Sequence, residues 1–240
     1  MALVVNWREV QPNIAHLSAV HWGGLRRREK PDDPDERNCL HRLDGFARHA
    51  LQGRKTSDHH HHQHLEQVYY VLAGSGEVLF EGRRFPVRDG DAVYLPSGPY
   101  HQMFNDMNEA WLEHHVISMK VEGDGGQILI SNWRQVSPAP EGEGALRWRQ
   151  LGRVGEPEIG CLRGMAGIGC EAVPPGGRTS ERAFPDLEQV YYVLENRGTL
   201  IAGGEERPIS EGDMIHLPPG TQYQFRNPHD AWLRSLIMAA

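Results

Sequence analysis

Apolar and polar positions alternate along this chain in short bursts rather than in helical rows. Val68-Tyr69-Tyr70-Val71-Leu72 is a β-branched and aromatic run closed by Ala73-Gly74-Ser75-Gly76, which reads as a strand followed by a turn. Glu77-Val78-Leu79-Phe80 comes next, then Glu81-Gly82, Arg84-Phe85-Pro86-Val87, Asp89-Gly90-Asp91, Ala92-Val93-Tyr94-Leu95 and Pro96-Ser97-Gly98-Pro99. Short strands with turn signals at such close spacing predict an all-β sandwich or barrel. No stretch holds a helical period for more than three turns.

The pattern occurs twice. Leu65–Leu72, LEQVYYVL, returns unchanged at Leu187–Leu194, and from Leu65 to Asn105 the two copies align without a gap, with 18 of 41 positions identical. Asn6-Trp7-Arg8-Glu9-Val10 recurs as Asn132-Trp133-Arg134-Gln135-Val136, and Ala110-Trp111-Leu112 as Ala231-Trp232-Leu233. Landmarks repeated in one order mean a tandem duplication. Glu122-Gly123-Asp124-Gly125-Gly126 is the polar, glycine-rich join, so the expected domains are 1–123 and 124–240. The first half carries an extra segment over 26–37, with two prolines and no apolar periodicity. It is expected as a surface loop or short exposed helix.

Composition narrows the class. The 240 residues are 39% hydrophobic and 24% charged, with a net charge of −7. That is ordinary for a soluble protein and argues against nucleic-acid binding. No apolar run approaches the ~20 residues of a membrane helix, and the N-terminus lacks the basic and apolar regions of a signal peptide. Three cysteines at no metal-like spacing point to reduced thiols and a cytoplasmic setting.

The fourteen histidines are unevenly placed, with His59–His62 consecutive and His64 just after. Alternate residues of a strand share a face, so a His-x-His puts two imidazoles on one side. His101, on a later strand, would join them inside a barrel. Three imidazoles with an amide or carboxylate suit a divalent first-row metal. Two registers are open, His59/His61 and His60/His62, and the fourth ligand is either Glu66 or Gln67.

These residues resemble the cupin superfamily, in a two-domain form. Gly90, Pro96, Gly98, His101 and Asn105 match every position of that family's second motif. His60, His62, Gln67 and Gly74 match its first. The resemblance implies two tandem double-stranded β-helix (jelly-roll) barrels, and a metal held by His60, His62, Gln67 and His101. The ion would be one divalent transition metal, whether Fe, Mn, Ni or Zn. A neutral amide beside three neutral imidazoles would leave the full +2 on the ion.

In the second half His60 is replaced by Arg182, His62 by Phe184 and His101 by Tyr223, while Gly212, Pro218, Gly220 and Asn227 remain. This half is expected to hold no metal, its substitutes either lining a metal-free pocket for an organic anion or, as the favoured reading, simply filling the barrel. Glu188 and Gln189 persist there, explained equally by a second task for the glutamine, such as hydrogen bonding inside the barrel, and by recent duplication. His114 and His115 point to opposite faces of a strand and are read as solvated, the alternative being that one faces the metal cavity as an acid–base group. Trp111 and Trp232 are read as core or inter-domain packing, and one tyrosine of each pair as interior. Glu66 and Tyr94 are candidates for a general base. The resemblance implies an oxygenase- or isomerase-type enzyme on a small oxygen-rich substrate such as a carboxylate or sugar derivative. A non-catalytic binding or sensing protein is the competing reading. The expected partner is a small molecule, neither nucleic acid nor membrane, and an edge strand would serve pairing into a homodimer.

Overall fold

The two faces of LEQVYYVL decide the architecture. In the computed structural model, which describes residues 2–240, Leu65–Ala73 and Gln189–Glu195 are the matching strands of two β-barrels. Alternation sorts their side chains. Tyr69 and Val71 point into the first barrel, while Val68 and Tyr70 point into a core shared between the barrels. Tyr191 and Val193 fill the second barrel, while Val190 and Tyr192 join the shared core. A strand buried on both faces reads as a continuous apolar run, which is what the repeat is.

Each barrel combines a large sheet with a small one. In the first, the order is Leu129–Asn132, Asp91–Leu95, Leu65–Ala73, Leu112–Lys120, Gly45–Leu51, Ala19–Arg27, Asn13–Ala15. The smaller sheet runs Lys55–Thr56, His101–Asn105, Ser75–Phe80, Arg83–Arg88. The second barrel repeats this around Gln189–Glu195. The only helical turns among the described residues are two three-residue 3-10 turns, Trp7–Glu9 and Trp133–Gln135. No helix is long and apolar enough to cross a membrane.

The halves exchange their first strands. Leu3–Asn6 pairs with Asp213–Leu217 of the second barrel, and Leu129–Asn132 pairs with Asp91–Leu95 of the first. The repeated Asn-Trp-Arg motif fastens each exchanged strand. The Asn6 and Asn132 oxygens each cap a 3-10 turn by accepting a backbone N–H, at 3.1 Å. Their amides donate to Asp213 and Asp91 of the other barrel, each at 2.7 Å. Trp7 and Trp133 then lie against Gly212 and Gly90, both at positive φ, where a Cβ would come within 2.9 and 2.7 Å of the indoles. These two motif glycines are therefore required by conformation and by space at once.

One expectation fails here. Trp111 and Trp232 are not packed in a core but remain 44% and 45% exposed. Equivalent positions in a duplication share an environment, and this one is surface. The segment 26–37 is the expected surface loop rather than a helix: the strand Ala19–Arg27 runs into its start, and Asp35 gathers the loop by pairing with Arg26 and Arg37.

Candidate metal centre

The Pro-x-Gly turn and the strand ladder place the imidazoles. His60 and His101 form an antiparallel bridge, with His60 N–H donating to His101 O at 3.1 Å and the return bond at 2.8 Å. Gly98, at φ 104°, donates its N–H to His62 O at 2.8 Å and so holds the second histidine over the turn. The ring centroids of His60, His62 and His101 lie 4.4 to 5.6 Å apart. One ligand nitrogen from each of the three falls within 4.8 Å of the others.

Orientation favours a shared guest. His60 Nδ1 lies 3.1 Å from Asp58 O and His101 Nδ1 lies 3.4 Å from Pro99 O. Backbone carbonyls thus engage one nitrogen of each ring, as outer-shell partners do around metal-bound imidazoles. The other nitrogens, His60 Nε2 and His101 Nε2, are buried with no hydrogen-bond partner. Gln67 Oε1 is buried and unpartnered too, on the strand face that carries Tyr69 into the same barrel. Unpaired buried acceptors cost stability unless something satisfies them, and a divalent cation accepts from all of them. Burial, then the neighbouring imidazoles, push His62 down to about 4 and His101 to about 3. The rings are therefore neutral and have lone pairs to give at neutral pH.

The odd-numbered histidines face elsewhere. His59 and His61 flank the exposed ring of Tyr100, at centroid distances of 4.9 and 4.3 Å. Glu66 is on the opposite strand face from Gln67. Fully buried, it accepts backbone N–H bonds from Arg163, Gly164 and Met165 of the second half at 2.8 to 2.9 Å, and the Tyr94 hydroxyl at 3.3 Å. Glu188 mirrors it, accepting from His41, Arg42 and Leu43 at 2.6 to 3.0 Å and facing His216 at 2.8 Å. Burial would raise the Glu188 carboxyl, but His216 and those N–H donors outweigh it and hold the pKa below normal. The two glutamates are a reciprocal clamp between barrels, which accounts for their presence in both halves. Neither Glu66 nor Tyr94 reaches the histidine cluster, so both drop out as candidate bases.

Sequence reasoning missed a second layer of histidines. His114 is not solvated: it is buried inside the first barrel, beside Tyr69 and His49 at 5.1 and 5.4 Å. His115 is not solvated either. It is fully buried between Phe46 and Tyr192 in the shared core. Both lie on the central strand Leu112–Lys120, paired on both edges, where either face is interior. His16 stacks on His60 at 4.7 Å while its Nδ1 is 2.8 Å from Asp58 Oδ1. Only the pairing of His21 with His49 and of His49 with His114 across three strands brings this layer together.

The second barrel replaces the layer position for position. Arg147 pairs with Glu171 where His21 pairs with His49, and Arg182 bridges Tyr223 where His60 bridges His101. Arg182 grips Glu171 through two bonds of 2.7 and 3.0 Å. The Tyr223 hydroxyl donates to Gln189 Oε1 and lies 2.9 Å from Tyr191. Here the glutamine oxygen is satisfied by protein, whereas Gln67 Oε1 is not.

A family model described as a cupin domain matches residues 48–116 and again 169–238. An uncharacterised protein of Methanocaldococcus jannaschii is 34% identical over 55 residues, 23% of this chain and 44% of that protein. The oxalate-binding protein of Thermotoga maritima is 32% identical over 63 residues, 26% of this chain and 52% of that protein. These matches span about half the length of either curated relative. Among solved structures, a glyoxylate-induced protein of Pseudomonas aeruginosa superposes with a TM-score of 0.79 at 14% identity, covering 99% of this chain and 87% of that one. A salicylate 1,2-dioxygenase variant of Pseudoaminobacter salicylatoxidans gives 0.74 at 13% identity, covering 100% and 82%. Likeness at that identity concerns the fold alone.

Proposed function

This chain belongs to the cupin family, with one cupin barrel in each half, and from that premise we propose that the first barrel is a one-metal site acting on a small oxygen-rich substrate. His60, His62 and His101 hold the ion, with Gln67 Oε1 as the fourth ligand. The observation that carries the reading is the convergence of buried, unpartnered His60 Nε2, His101 Nε2 and Gln67 Oε1 on one barrel interior. When bound, a divalent ion with four neutral protein ligands supplies Lewis acidity to an oxygen-bearing ligand at its open positions.

The chain's own residues do the rest. Asp58 O and Pro99 O orient the His60 and His101 rings, and Tyr69, His49 and His114 close the barrel behind them. His16, its Nδ1 held by Asp58 and its ring stacked on His60, lines the same interior and would border a bound substrate. A small carboxylate is the favoured substrate class, supported by the name of the oxalate-binding relative and by a cationic site. An oxygenase or isomerase type of reaction fits this arrangement. Non-catalytic capture of the same class is the second reading. It is favoured by one observation: both carboxylate and phenol candidates for a base, Glu66 and Tyr94, are committed to the inter-barrel contact.

Elemental analysis of the purified protein tests the site. About one divalent ion per chain is expected, and His101→Ala loses it. Two ions per chain would overturn the assignment of a metal-free second barrel. None after reconstitution with iron, manganese, nickel or zinc would end the metal reading. Turnover of a carboxylate and sugar panel, followed by oxygen uptake and product analysis, separates catalysis from capture.

A further inference from the structure

The second barrel is not filled to its rim. At its mouth, against the strands Leu146–Arg153, Gly167–Val173 and Leu233–Ala239, lies an open cavity of about 260 Å³. It is the counterpart of the metal-site mouth, with Phe184 and Gln189 at the positions of His62 and Gln67. Phe184, Leu187 and Ile237 make its wall apolar, and its charged lining residues are two cations, Arg147 and Arg149.

Those cations differ in availability. Arg147 is held by Glu171 at 2.8 Å and Glu141 at 3.6 Å, so it contributes a fixed cation to the wall. Arg149 is half exposed and pairs with Glu156 at 2.8 Å. A surface pair of that kind is worth at most ~1 kcal/mol, so an incoming anion can displace it. The volume falls just below the ~300–1,000 Å³ of sites for drug-sized ligands, which limits the guest to roughly one substituted ring.

We propose that this cavity is a metal-free binding site for a compact carboxylic acid with an apolar body, aromatic or branched aliphatic. The apolar body lies against Phe184, Leu187 and Ile237, and the carboxylate faces Arg147 and Arg149. Such a site pairs a substrate barrel with a recognition barrel in one chain. It uses none of the first barrel's residues, so it stands or falls independently of the metal assignment.

The test uses the full chain carrying His101→Ala and treated with chelator, so that the first barrel holds no ion to attract the probe. Benzoate, cyclohexanecarboxylate and the neutral isostere benzamide are titrated by calorimetry. Saturable binding of an acid at one per chain is expected, with benzamide at least tenfold weaker. Ala239→Leu, which fills the cavity, should weaken the acid more than tenfold. Arg149→Gln, at a half-exposed position that does not threaten folding, should bring the acid down to the level of the amide. Failure of both acids to saturate by ~10 mM, equal binding of acid and amide, or binding indifferent to both variants would each overturn the proposal.

Discussion

Glu66→Gln separates an inter-barrel clamp from a metal ligand. Glu66 is fully buried and receives three backbone N–H bonds from residues 163–165 together with the Tyr94 hydroxyl. Glutamine has nearly the same shape but one carboxylate oxygen becomes an NH2 group. Whichever oxygen is replaced, at least one N–H loses its acceptor and faces another donor, and the remaining bonds lose their charge. An unsatisfied buried donor costs about 1–3 kcal/mol, and each bond to a charged acceptor exceeds a neutral one by roughly 1 kcal/mol. A loss of about 2–4 kcal/mol is expected, or roughly 5–12 °C in Tm for a chain of this size. The assay is thermal unfolding of metal-stripped protein beside elemental analysis of the loaded form. Tm should fall while metal content stays near one per chain, and Glu188→Gln should lower Tm at least as much. A Glu66→Gln protein with unchanged Tm and lost metal would refute the clamp and make Glu66 the ligand.

Acid should destabilise the metal-free protein in a defined window. Burial drives His49 to about 2, His114 to about 3 and His115 well below its usual value, so all three stay neutral in the fold. The unfolded chain takes up their protons below pH ~6.5, so the contribution of each of these histidines is constant above that point and falls beneath it, by roughly 2 kcal/mol per histidine at pH 5. Denaturant titrations at pH 7.5 and 5 check this, and equal midpoints would contradict it. Removing residues 2–6 strips the exchanged strand from Asp213–Leu217, costing about 1.5–3 kcal/mol for Val5 alone and exposing an edge prone to self-association. Light scattering should show oligomers, whereas a stable monomer would show the exchange to be dispensable. Trp232→Ser should change stability by less than about 0.5 kcal/mol, as for other exposed positions. A larger loss in denaturant melts would mean that the indole is packed after all.

The duplication and the all-β class are legible along the chain because they rest on local spacing, whereas the histidine register, His59/His61 or His60/His62, stays open in the spacing and is chosen only by the family resemblance. A strand has a period of two, a Pro-x-Gly turn has a fixed geometry, and His60, Gly98 and His101 stand at distances that turn and ladder impose. Glu66 shows the limit of that reading. It and Gln67 are adjacent, both are polar, and both are repeated in the second half. Only the neighbour on each strand face tells them apart, and on one face that neighbour is backbone nearly a hundred residues away. The same holds for His49 and His114, brought together by pairing three strands, and for His115, which looks solvated in sequence yet lies between two rings from different halves.

What the sequence determined by itself is therefore the repeat, the strands and a histidine cluster that only the first half carries. What only the tertiary structure decided is which face of each strand meets which partner. The exchange of Leu3–Asn6 and Leu129–Asn132 makes the two barrels one body, and burial by a distant segment leaves no periodicity in the residues it buries.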